Sequence, residues 1–100
     1  MKIITVCGSL RFKDEIMAIA LKVELEGNCV LAPLYPIGDD KDVFTPEEAK
    51  ILDDMHKERI KMSDAILVVN VDGYIGNSTK NEIEFAKSLN KEIIYYTDIC

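Results

Sequence analysis

Residues 3–11 read Ile3-Ile4-Thr5-Val6-Cys7-Gly8-Ser9-Leu10-Arg11, and residues 66–79 read Ile66-Leu67-Val68-Val69-Asn70-Val71-Asp72-Gly73-Tyr74-Ile75-Gly76-Asn77-Ser78-Thr79. Each stretch is a short β-branched apolar run followed by small polar residues and an amphipathic segment. That is the signature of a buried strand turning into a helix. Working outward, strands are expected at residues 2–7, 29–34, 65–71 and 92–97. Helices are expected at 11–26, 46–62 and 79–89. Phe12, Ile16, Ile19, Ala20 and Val23 fall on one helical face, and Gly27-Asn28 ends that helix. Thr45-Pro46-Glu47-Glu48 is a helix start with Thr45 as N-cap and Glu48 closing a capping box. The β-α-β-α-β-α-β alternation predicts an α/β three-layer sandwich with a four-stranded parallel sheet, flavodoxin-like. The favoured strand order is 2-1-3-4. It reverses direction between strands 1 and 3, so a ligand crevice is expected at the carboxyl edge between Gly8–Arg11 and Asp72–Ser78.

A hundred residues make a single domain, 1–100. A net charge of −6 argues against a nucleic-acid polymer or an anionic membrane as partner. A small anion remains compatible, because a local arginine and helix N-termini override the global field. No apolar run approaches the roughly 18–20 residues of a membrane span. The chain opens directly into a strand, with no cleavable leader pattern. Cys7, Cys29 and Cys100 are odd in number and widely spaced, which fits reduced thiols and a cytoplasmic setting. No zinc spacing, GxGxxG or Walker A pattern is present, so no cofactor or metal is expected.

Several residues carry two readings. Gly8, Ser9 and Arg11 either cradle a phosphate or form a plain turn with Ser9 as cap. Glu82 is either a site carboxylate or the closing residue of a Thr79–Glu82 capping box in the first turn of its helix. Asp72, Gly76, Asn77 and Ser78 flank the crevice or serve as turn and cap. Tyr74-Ile75 forms an apolar lip over a planar base or a subunit contact. His56, the single histidine, shares a row with Leu52 and Ile60, as a core residue or as a group reaching the crevice. Asp39, Asp40 and Asp42 form an acidic cluster in the loop 35–44.

Val6-Cys7-Gly8-Ser9-Leu10-Arg11, then Ser63-Asp64-Ala65-Ile66-Leu67-Val68, then Gly76-Asn77-Ser78-Thr79-Lys80-Asn81-Glu82-Ile83-Glu84-Phe85-Ala86 together resemble the nucleoside 2-deoxyribosyltransferase superfamily. The N-terminal loop is most similar to its 2′-deoxynucleoside 5′-monophosphate N-glycosidases. The resemblance implies cleavage or exchange of the N-glycosidic bond of a deoxynucleoside or its 5′-monophosphate. Glu82 stands at the family's nucleophile position and would form a covalent glycosyl intermediate, with His56 or Asp72 as acid/base. Thr5, Gly8, Ser9, Arg11, Gly76, Asn77 and Ser78 would contact the sugar and its phosphate. Thr5 stands where the family often has tyrosine, and His56 aligns with its acidic residue on the second helix. The resemblance implies a small-molecule nucleoside or nucleotide partner and a homodimer or higher homo-oligomer. The family's C-terminal extension has no counterpart in this sequence. A non-catalytic nucleotide-binding module on the same fold is the alternative.

Overall fold

The computed structural model describes residues 1–34 and 44–99. The acidic cluster at 39–42 and Cys100 lie outside the described residues. Strand β1 (Ile3–Gly8) leads through a 3-10 turn (Leu10–Phe12) into α1 (Lys13–Leu25) and β2 (Cys29–Leu31). Helix α2 (Pro46–Met62), β3 (Ala65–Val69), a second 3-10 turn (Val71–Gly73), α3 (Asn77–Ser88), β4 (Glu92–Tyr95) and a short α4 (Tyr96–Ile99) follow. The four strands form one parallel sheet in the order β2-β1-β3-β4. This is the expected α/β three-layer architecture.

Alternation along β1 decides what each face of the sheet meets. Ile4 and Val6 join Ala65, Leu67 and Val69 against Ile16, Ile19, Ala20 and Val23 of α1. Cys7 points the other way, into a cluster with Ile60 of α2, Ile66 and Val68 of β3, and Ile83 and Ala86 of α3. The Gly8↔Val69 register brings the carboxyl ends of β1 and β3 side by side, so both strand-to-helix junctions leave the sheet together. Gly8 sits where a Cβ would lie 3.0 Å from Ile16 Cδ1 and 3.3 Å from Val69 Cβ. The glycine is needed there for close packing of α1 on the sheet.

Several boundaries differ from the sequence reading, among them the start of α1, which falls at Lys13 behind the 3-10 turn rather than at 11. β2 stops at Leu31 rather than 34, just before Pro33, which has no N–H to offer a ladder. β3 stops at Val69 because the chain turns at Asp72, which has positive φ. β4 stops at Tyr95 and continues as α4, an element the sequence reading does not contain. Asn70 drives that turn: its side chain accepts from the Thr97 N–H and donates to Thr97 Oγ1, both at 3.2 Å. Finally, α3 begins at Asn77, two residues earlier than expected.

Candidate active site

The early start of α3 changes the reading of Glu82. With Gly76 as N-cap, Asn77 is the first helical residue and Glu82 lies in the second turn. The expected capping box cannot form there, and neither Asn77 nor Ser78 is the cap. Gly76 has no side chain to cap with, so the first N–H groups of α3 receive no side-chain cap from it. Glu82 is instead buried, at 8% exposure, on the face of α3 that meets α2 and β1.

Three side chains converge there. Cys7 Sγ lies 3.4 Å from His56 Nε2, and His56 Nε2 lies 3.9 Å from Glu82 Oε1. His56 is buried with Ile60 on the inner row of α2. Its other ring nitrogen, Nδ1, is 3.5 Å from Arg59 Nη1. A guanidinium only donates, so Nδ1 is assigned as acceptor and Nε2 as carrier of the hydrogen. Burial first, then the charge of Arg59, lowers the His56 pKa to about 4, against a pull upward from Asp53. The ring is therefore neutral at physiological pH and donates a hydrogen bond without carrying charge. Burial pushes the Glu82 carboxyl up to about 7, opposed by a hydrogen bond from the Cys7 thiol; Asp53 raises it further and Lys57 lowers it. Burial, and then the neighbouring Glu82, raises the Cys7 thiol well above its ordinary value, so it stands as S–H and not as a thiolate nucleophile. The sequence reading placed Cys7 only as a buried thiol; its position two residues beyond Thr5 on the same strand face was the available signal for its part here.

The other expected residues divide into two groups. At the first junction, the Ser9 hydroxyl accepts from the Arg11 N–H at 3.4 Å, which is the capping role. The Arg11 guanidinium lies 4.1 Å from the centroid of the Tyr74 ring, and Phe12 meets the same ring edge-on at 5.7 Å. Tyr74 therefore stitches the β1–α1 loop to the β3–α3 loop. Stacking occupies a face of the guanidinium and leaves its N–H edges available to an anion. Asp72, Asn77 and Ser78 are exposed, and Gly76 is half-buried. Thr5 lies apart from them. It is fully buried, and its hydroxyl bonds the Arg59 carbonyl at 3.0 Å and Ser63 Oγ, tying β1 to the end of α2. An open hollow of about 440 Å³ lies elsewhere: Lys2, Ile4, Val23, Gly27 and Ile94 line it near the start of β1. Among the described residues, the charged side chains that line it are Lys2 and Glu26.

Among the described residues, no helix is long and apolar enough to cross a membrane. No family model matches this chain, and no curated protein matches it. The solved structures contain a fold relative, the Clostridium botulinum CMP N-glycosidase BcmB. It superposes with a TM-score of 0.60 at 21% identity, over 94% of this chain and 67% of that one. At that identity the likeness establishes a shared α/β fold.

Proposed function

We propose that this domain cleaves the N-glycosidic bond of a nucleoside 5′-monophosphate or nucleoside, with Glu82 as the nucleophile. The observation that carries the reading is a buried carboxylate, Glu82, beside the neutral Cys7 thiol and His56 ring, with Cys7 one residue before the end of β1. The fold relative's activity as a CMP N-glycosidase points the same way. A Glu82 oxygen attacks C1′, and the C1′–N bond breaks with its electron pair leaving on the base, which takes up a proton. Water then attacks C1′ and regenerates the carboxylate, as in retaining glycoside hydrolysis. A second base in place of water would give exchange. The Cys7 thiol donates to the carboxylate and the Nε2–H of His56 donates in turn to Cys7 Sγ, so the carboxylate is held through a chain in which neither donor needs to change charge. Neutral His56 is a poor proton source, so the leaving base takes its proton from water, which Asp72 is the candidate to orient. Arg11, Gly8, Ser9 and the free N–H groups at Gly76, Asn77 and Ser78 receive the 5′-phosphate. Thr5, with its hydroxyl already committed, supports α2 in this scheme rather than touching the sugar.

The test is chromatographic release of free base from ribo- and deoxynucleosides and their 5′-monophosphates. Both sugars are needed, because CMP carries a 2′-hydroxyl and the sequence resemblance implies a deoxy sugar. Glu82→Ala should lower the rate by a factor of about 10³ or more while the fold is kept. Only the carboxylate attacks, so the rate should fall as pH drops below about 7. The alternative, a nucleotide sensor on the same fold, is favoured by the neutral His56 where the family has an acid. It predicts nucleotide binding by calorimetry with no base released.

A further inference from the structure

Cys7 reaches the site from β1, His56 from α2 and Glu82 from α3. One ligand atom from each lies within 4.8 Å of the other two, and all three residues are buried. Positions 7, 56 and 82 share no local spacing, so no sequence pattern marks them as a ligand set. We propose that this cluster binds a zinc-class divalent cation through Cys7 Sγ, His56 Nε2 and Glu82 Oε1, with water in a fourth position, and that the bound ion withholds Glu82 from substrate.

The donor types select the ion. Magnesium and calcium take all-oxygen shells, whereas thiolate, imidazole and carboxylate together suit zinc or cobalt. The spacing fits too. Tetrahedral zinc, with bonds of about 2.3 Å to sulfur and about 2.0 Å to nitrogen or oxygen, sets its ligand atoms roughly 3.3–3.6 Å apart. Sulfur and nitrogen already stand at 3.4 Å. Nitrogen and oxygen stand at 3.9 Å and every pair lies within 4.8 Å, so the Glu82 side chain has to rotate inward to complete the set. His56 is already neutral, as a ligand must be. Binding expels the Cys7 proton to solvent. It also moves the His56 hydrogen from Nε2 to Nδ1, so Arg59, which faces Nδ1 as a donor, has to swing aside. That opposition makes the ion exchangeable rather than structural. The binding claim stands independently of the proposed activity, and only the inhibition rests on it.

The chelator-treated full chain is titrated with cobalt(II). A sulfur-to-cobalt charge-transfer band with the visible bands of a four-coordinate ion is expected, and zinc should bleach both. Cys7→Ser should remove the charge-transfer band, and Glu82→Gln should weaken binding about tenfold or more. Because His56 is the single histidine, its ring ¹⁵N signals report on the unaltered protein. Zinc should shift Nε2 into the metal-bound range. No cobalt band together with an unmoved Nε2 signal overturns the inference. A band that persists in Cys7→Ser overturns it as well, since Cys29 or Cys100 would then be the ligand. If the metal signals appear and no base is released from any substrate, the site stands and the glycosidase reading falls. If base is released and zinc neither binds nor slows it, the reverse holds.

Discussion

Glu82 and His56 are each held away from their preferred charge state, in opposite directions, and this sets a measurable pattern in stability. The ordinary pKa of Glu82 is 4.5, and in the fold it is about 7. Between those values the unfolded chain releases its proton first, so the folded state loses stability as pH rises through 4.5–7. His56 shifts from 6.5 to about 4, so stability falls as pH drops through 6.5–4. The two slopes oppose each other where the windows overlap. Glu82→Gln removes one of them. By denaturant titration in the presence of chelator, it should be more stable than wild type at pH 8, by on the order of 3 kcal/mol. It should also lose stability more steeply below pH 6.5. Equal stability at pH 8 would mean that Glu82 is solvated and not poised for attack. Arg11 gives a second test. Arg11→Ala should raise KM for a monophosphate about tenfold or more and leave the parent nucleoside nearly unchanged. An equal effect on both would assign Arg11 to holding Tyr74 in place.

Among the elements, α2 and α3 make an instructive pair. The onset of α2 is locally determined: Thr45 Oγ1 accepts from the Glu48 N–H at 3.1 Å, and Glu48 returns the bond to the Thr45 N–H at 3.0 Å. Thr45→Ala should cost about 1 kcal/mol in thermal or chemical unfolding. Thr79-Lys80-Asn81-Glu82 has a similar pattern, yet α3 starts above it. There Thr79 and Glu82 are both buried, and the helix enters the sheet edge at Gly76 without a side-chain cap. The lost cap leaves N–H groups open to an anion, a local cost consistent with a binding loop. Gly8 is the hinge between β1 and α1. Gly8→Ala would press a methyl against Ile16 and the Val69 backbone and should destabilise by about 1–3 kcal/mol. A neutral result would show that α1 can shift away from the sheet.

For the molecule as a whole, the apolar surface left over bears on assembly. Helix α1 buries Ile16, Ile19, Ala20 and Val23, and on its outer side carries Met17 at 53%, Leu21 at 61% and Leu25 at 79% exposure. These three are spaced by four, a continuous stripe of helix surface. Such a stripe fits self-association, and a homodimer through α1 is our expectation. Sedimentation at tens of micromolar should find a dimer, and Leu21→Glu should return it to monomer with unchanged circular dichroism. A wild-type monomer under those conditions would reject the dimer.

The alternation of apolar runs with helical periodicity, the turn residues between them and the handedness of crossovers were enough to specify the sheet, its 2-1-3-4 order and the edge at which the loops gather. Those features depend on neighbours within a few residues and on chain chirality, so they are readable along the chain. Where α3 begins, that Cys7 joins the site, and that His56 is neutral beside a protonatable Glu82 all depend on packing among β1, α2 and α3. Burial energies and pKa shifts arise from contacts between residues tens of positions apart, and these exist once the sheet has brought positions 7, 56 and 82 within reach of one another.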